Sequence, residues 1–305
     1  MNSRLTKPII FTGNGRSGST MMFELFSTHE DLGWISNYSQ SYPSIPQLNI
    51  AARAFDNNFI FLRGETKQHH KIYPMNRFFP RPTEGWPYWE NFVGEKFSKQ
   101  YLTEMTATTK EVNDLRDSFT KILKYQGKKR LTIKVTGPTR IEFLHSIFPD
   151  AHFIHTIRDG RAVVNSLMKV DFWAQKGGFD KPFWTNGFKE EYEDIWLSSG
   201  KNPIVLAALQ WKNIIEIGQQ ESKLLNSDNY TEIRYEDFMK TPHDSLSSLF
   251  EQTNLCDSTR AHSFLEQRIK PSNMNYKFKD NFDKKTLDML NELLGDILVE
   301  LGYEI

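Results

Sequence analysis

The stretch from Pro8 to Thr20 constrains this chain most. Pro8-Ile9-Ile10-Phe11-Thr12 is apolar enough for a buried strand and runs directly into Gly13-Asn14-Gly15-Arg16-Ser17-Gly18-Ser19-Thr20. A helical pattern follows at 20–27. Glycines let backbone N–H groups converge, and a helix that starts there turns its positive end to the same point. The segment is therefore a cradle for an anion. A plain glycine turn ahead of a helix is the simpler alternative.

The same order of elements recurs along the chain. Strands are expected at 131–135, 152–157 and 230–235, each followed by Gly, Pro, Asp or Glu and then a helical pattern. Helices are expected at 97–124, 140–148, 161–170, 203–225 and 284–301. In the last of these, Leu287, Leu290, Leu294, Ile297 or Leu298, and Leu301 recur at helical spacing. Thr241, Pro242 and Asp244 read as a helix start, with the threonine as cap. Strands alternating with helices imply an α/β fold of three layers, with a central, mostly parallel sheet between helices. No repeat or low-complexity tract divides the 305 residues, so a single domain is expected over 1–305. Residues 36–91 and 172–196 fit the pattern poorly. With their flanks they define insertions at about 37–125 and 172–200, of the kind that overhang the ligand edge of such a sheet.

Composition narrows the function. Lys and Arg total 38 and so do Asp and Glu, which argues against a nucleic-acid partner but permits a local basic pocket. The one cysteine, Cys256, excludes an intramolecular disulfide and a cysteine-rich metal site. No apolar run is long enough to span a bilayer, and Met1 to Lys7 hold no signal core, so a cytoplasmic protein without an integral membrane segment is expected.

Two motifs hold the chemistry. By spacing, the first turn is G-x-x-x-x-G-x-T, a P-loop with Ser19 where a nucleoside triphosphatase has its lysine. The cation is instead Arg16, inside the loop. The second motif begins at His155-Thr156-Ile157-Arg158-Asp159-Gly160-Arg161 and continues to Ser166. Arg158 and Ser166 could hold a second phosphate there. The alternative is an exposed turn with two solvated arginines.

Read together, the motifs resemble those of the sulfotransferases that use 3′-phosphoadenosine 5′-phosphosulfate (PAPS). Arg16-Ser17-Gly18-Ser19-Thr20 is similar to that family's 5′-phosphosulfate loop, and Arg158-Asp159-Gly160-Arg161 with Ser166 to its 3′-phosphate segment. Lys134, ahead of Thr136-Gly137-Pro138, resembles a lysine of the protein-tyrosine sulfotransferase branch. Arg234-Tyr235-Glu236-Asp237 resembles a segment bordering the nucleotide, and Asn275-Tyr276-Lys277-Phe278-Lys279 a basic segment that closes over it in bacterial members. The resemblance does not cover about 37–125.

The resemblance implies in-line transfer of a sulfuryl group from PAPS to a hydroxyl or amine of a small-molecule, lipid or glycan acceptor. Adenosine 3′,5′-bisphosphate (PAP) is left, and no metal is required. Gly15, Arg16 and the loop amides would hold the leaving 5′-phosphate, with Ser17, Gly18, Ser19 and Thr20 around its oxygens. Lys134 would act at the sulfonate; Arg158, Ser166 and Lys277 would hold the 3′-phosphate; Tyr235 and Tyr276 would border the nucleotide. The protein-tyrosine branch has its base just after the first helix, but Gly33-Trp34-Ile35-Ser36-Asn37-Tyr38 contains no acid there. Arg63-Gly64-Glu65-Thr66-Lys67 has the right letters some thirty residues late. Among Glu84, His69 and His70, Glu84 ranks first, because Trp86, Tyr88 and Trp89 nearby could raise its pKa by desolvation. Trp86, Tyr88, Trp89, Phe172, Trp173, Phe183 and Trp184 are either an acceptor pocket or core. The competing readings are a P-loop kinase or NTPase and a nucleotide-binding module without chemistry.

Overall fold

The computed structural model describes residues 5–56, 79–171, 173, 177–268 and 276–305. Side chains alternate along its strands, and both faces of the sheet are buried. Ile10, Leu131, Ile133, Val135 and Phe153 pack on one face, whereas Ile9, Phe11 and Ile154 pack on the other. Such two-sided burial is why these segments read as continuous apolar runs. The strands are β1 (Ile9–Gly13), β2 (Leu32–Gly33), β3 (Arg130–Thr136), β4 (His152–Ile157) and β5 (Tyr230–Arg234). All pair in parallel, in the order β2-β3-β1-β4-β5.

Helices cover both faces, giving the three-layer α/β arrangement. The helices Thr109–Gln126 and Ile141–Ile147 lie against the first face. Gly160–Leu167, Pro203–Ser222 and Lys284–Glu300 extend that layer through Ile157, Trp211 and Leu294. The helices Ser19–Ser27, Pro242–Gln252 and Thr259–Arg268 bury Phe23, Phe26, Leu249, Phe250 and Phe264 on the second face. The chain leaves β1 toward β3 on one side and returns to β4 on the other. The turns after β1, β3 and β4 therefore meet at a topological switch point, where open α/β sheets bind ligands. Among the described residues no helix is long and apolar enough to cross a membrane.

Two expected elements differ. The single helix at 97–124 is two, Lys96–Lys99 and Thr109–Gln126. Leu102 and Glu104 adopt left-handed backbone conformations between them (φ 59° and 57°). A capping box then starts the second helix, with Thr108 Oγ1 accepting from Glu111 N–H and the Glu111 carboxylate accepting from Thr108 N–H. Thr241 does stand at the start of Pro242–Gln252, but its side chain does not cap it. Its backbone has left the extended region that would aim the hydroxyl at the helix, and the hydroxyl meets Ser245 Oγ instead, at 3.4 Å.

A buried acid ties the first-face helices together. Glu221 Oε2 accepts from Thr139 Oγ1 (2.6 Å) and from Ile141 N–H (2.8 Å), while Oε1 has no partner. Burial pushes its pKa up to about 7 against the pull of those hydrogen bonds. The folded state thus holds a proton that the unfolded state releases near pH 4.5. Stability should fall as pH rises from about 4.5 to about 7 and level off above that, by up to roughly 3 kcal/mol. Denaturant titrations at pH 5 and pH 8 measure this. Glu221→Gln, which can accept both hydrogen bonds uncharged, should reduce the difference sharply.

Candidate active site

The anion cradle forms as the loop after β1 closes on the turn after β4. Arg16 has a left-handed backbone (φ 71°), and so has Gly18 (φ 90°). A Cβ on Gly18 would fall 2.4 Å from Cδ2 of Tyr235, so this position requires glycine twice over. Gly18 is also the N-cap of Ser19–Ser27, and no side chain caps that helix among the described residues. Its first-turn N–H groups face the loop uncapped. Ser17 is fully buried and shares a hydrogen bond with Thr156 Oγ1 at 2.8 Å, which fastens the loop to β4. It is thus an internal brace of the cradle.

Two guanidinium groups stand at this loop. Arg16 Nε donates to Ser166 Oγ (2.9 Å), and Arg158 Nη1 donates to the backbone oxygen of Arg16 (3.1 Å). Arg158 also lies 4.6 Å from the ring centroid of Tyr235. Burial lowers the pKa of Arg16, and the like charge of Arg158 lowers it further. The opposite charge of an anion bound here would offset both effects. The two motifs, 150 residues apart in sequence, thus share one site.

Asp159 and Arg161 form a pair, so the second motif is not a turn with two solvated arginines. Both are buried, joined at 2.8 Å, and Asp159 caps the helix Gly160–Leu167 by accepting from Arg161 N–H. Arg161 also donates to Glu304 O. Arg234 donates to Leu301 O and Gly302 O, and Tyr303 Oη to Glu236 Oε2. Residues 301–304 are therefore tied beneath the second motif. Tyr276 and Lys277 are exposed at the start of the helix Lys277–Asn281. That helix is anchored by buried Phe278, which lies 5.0 Å under the Arg161 guanidinium. Asn275, His69, His70, Phe172 and the 63–67 segment lie outside the described residues.

On the other side of the loop, Glu84 and Lys134 meet. Lys134 lies opposite Phe11 in the β1–β3 register and is 5 % exposed. Its Nζ is 2.6 Å from Glu84 Oε1 and donates to Thr20 Oγ1 at 2.6 Å. Thr136 Oγ1 donates to Glu84 Oε2 at 2.8 Å. The contacts of the Glu84 carboxylate are therefore a cation and a hydroxyl rather than the aromatic rings. Its position follows from backbone pairing. Thr83 N–H donates to Ile35 O (2.8 Å), Asn37 N–H to Arg81 O (3.1 Å), and Ser36 bridges Pro82. The acid missing from Gly33–Tyr38 in sequence thus arrives beside it in space, on a strand-like segment zipped to it.

A cavity of about 760 Å³ opens from this point. Asn14 and Gly15 of the loop, Thr136 of β3 and Glu84 line it together with Trp86, Trp173, Phe183 and Trp184. Tyr88 and Trp89 are core residues, buried against Phe97 and Phe119. Gly137 (φ 97°) makes room for the wall: a Cβ there would fall 2.5 Å from Cζ2 of Trp184. Thr136, Gly137, Gln210 and Trp211 were missed by motif reading. Thr136 was within reach, because it shares a strand face with Lys134 two residues earlier. Gln210 and Trp211 sit in a helix whose pattern signals only scaffold.

Several solved structures share the fold. Sulfotransferase STF9 from Mycobacterium avium superposes with a TM-score of 0.62 at 14 % identity, over 99 % of this chain and 78 % of that one. STF1 from Mycobacterium tuberculosis gives 0.58 at 16 % identity, over 95 % and 76 %. The sulfotransferase domain from the curacin biosynthetic pathway gives 0.51 at 15 % identity, over 99 % of each. No curated protein sequence matches the chain closely enough to count as a relative. The family model described as "Sulfotransferase family" matches residues 8–258, from the strand before the anion loop to beyond β5, and the chain belongs to that family.

Proposed function

We propose that this enzyme transfers the sulfuryl group of PAPS to a hydroxyl or amine of a small-molecule, lipid or glycan acceptor, as a single cytoplasmic domain, with Glu84 as general base. The observation that supports this most is the continuous chain from the cavity to the loop: Glu84 to Lys134 to Thr20. An acceptor hydroxyl in the cavity beside Glu84 would give up its proton there as its oxygen bonds to sulfur. Lys134 joins the base to the cradle and would oppose charge on the sulfonate oxygens.

The cradle fits a phosphosulfate ester. Arg16 and Arg158 lie together, and an uncapped helix start faces the same point. Arg16, the amides of Gly15 to Thr20, and the hydroxyls of Ser19 and Thr20 would hold the 5′ end. Arg158 and Ser166 would hold the 3′-phosphate, with Tyr235 and the Tyr276–Lys277 turn at its border. When bound, PAPS supplies the sulfuryl group and departs as PAP.

Calorimetric titration with PAP, against ATP with magnesium as comparison, tests the donor assignment. Micromolar binding of PAP with little response to ATP is expected. The reverse would assign the loop to a kinase and remove the roles given to Arg158 and Ser166.

A further inference from the structure

Arg161, inside the second motif, has no part in the proposed chemistry. It is 5 % exposed, and its guanidinium joins separate pieces of the fold. Nε and Nη2 form a fork on the two carboxylate oxygens of Asp159, at 3.1 and 2.8 Å. Nη2 also donates to Glu304 O (2.6 Å), and Nη1 donates to Asn291 Oδ1 (2.9 Å) in the helix Lys284–Glu300. The buried ring of Phe278 lies 5.0 Å from the same group. Asp159 N–H donates in turn to Glu236 Oε1 (3.1 Å), and Glu236 Oε2 accepts from Tyr303 Oη.

Burying such a pair costs desolvation, and apolar packing of the same volume often stabilises a fold as well or better. What a planar, always charged fork supplies instead is direction. Here it sets the relative positions of two accessible cations. Arg158 precedes Asp159 and Lys277 precedes Phe278, so each stands one residue from a group that Arg161 holds. Resting on the reading of this end of the cradle as the 3′-phosphate subsite, we propose that Arg161 is a positioning residue that couples the Arg158 turn to the Lys277 turn. The two turns then close on a 3′-phosphate as one unit. Arg161 itself meets no ligand, because its fork is engaged within the protein. A nucleotide with only a 5′-phosphate is indifferent to this coupling and provides an internal reference.

Calorimetry with PAP and with AMP, which differ only in the 3′-phosphate, tests the proposal. Arg161→Lys keeps a positive charge but cannot hold both oxygens of Asp159, Asn291 and Glu304 together. It should weaken PAP by about tenfold or more and AMP by no more than about threefold. A merely structural role would lower Tm and leave the ratio of the two affinities unchanged. Phe278→Leu keeps an apolar anchor and removes the ring beside the cation. It should weaken PAP by about threefold with AMP unchanged, and it serves if Arg161→Lys does not fold.

Hydrogen exchange on the free protein reads the coupling without any nucleotide. The helix that follows Tyr276 closes with Phe282 N–H donating to Phe278 O at 3.0 Å. Amides at 279–282 should exchange about tenfold or more faster in both variants, with those of β1 unchanged. This readout decides the coupling even where PAP fails to bind the parent, a result that would overturn the donor assignment instead. An unchanged ratio of PAP to AMP affinity in both variants, or unchanged exchange at 279–282, would overturn the coupling.

Discussion

Arg16→Ala should lower sulfuryl transfer by roughly 10³-fold or more while leaving the fold intact. The size follows from what the side chain is placed to do. A guanidinium aimed at a leaving phosphate stabilises charge that develops only as the sulfur–oxygen bond breaks, and such groups contribute about 10³-fold or more in related phosphoryl chemistry. The fold should survive because Arg16 is only partly buried, at the surface of the loop, and its side-chain hydrogen bond is to Ser166 Oγ. Arg158→Ala should act mainly on binding, weakening PAP by tenfold or more with a smaller change in kcat, since its place is on the Tyr235 side of the loop. Steady-state kinetics with PAP calorimetry on both variants separates the two effects. Near-normal turnover in Arg16→Ala would remove the loop from the mechanism.

The second large effect is expected at Glu84. Glu84→Gln should cost about 10² to 10⁴ in kcat, the range typical for loss of a general base, with PAP affinity within a few-fold of the parent. Glutamine can keep an oxygen for Lys134 and turn its amide N–H to Thr136 Oγ1, so the arrangement around β3 should persist while proton acceptance is lost. Steady-state kinetics beside PAP calorimetry checks this, and a variant with the parent's kcat would place the base elsewhere.

The sheet was legible because its strands are buried on both faces. Runs such as Pro8-Ile9-Ile10-Phe11-Thr12 carry that burial in their composition, and the observed bounds shift by no more than a residue at each end. β2, only Leu32–Gly33, is too short to show any pattern. The break within 97–124 was also written in the chain, since Thr108 and Glu111 have capping-box spacing, but continuous helical periodicity obscured it.

At the site, the glycine loop and the Arg158 turn were readable because each is local: a strand end, a turn and a helix start within a dozen residues. The placing of Glu84 was not. Its position depends on pairing between Ile35–Asn37 and Arg81–Thr83, segments more than forty residues apart, and no spacing rule reports such a contact. The aromatic residues divided for a related reason. Trp86 begins a helix on the cavity side, and the two aromatic residues at 88 and 89 turn into the core.

The pairing that positions Glu84 has a consequence for how such an enzyme can diversify. Because the chain is cinched at Ile35–Asn37 and Arg81–Thr83, the ends of the intervening stretch are held together whatever its length or composition. Asn49, whose Oδ1 accepts from Ser36 Oγ and Gln126 Nε2, belongs to the cinch, and change that spares it would leave the carboxylate in register with Lys134. The position of the reacting carboxylate is thereby insulated from change in much of the chain that leads to it.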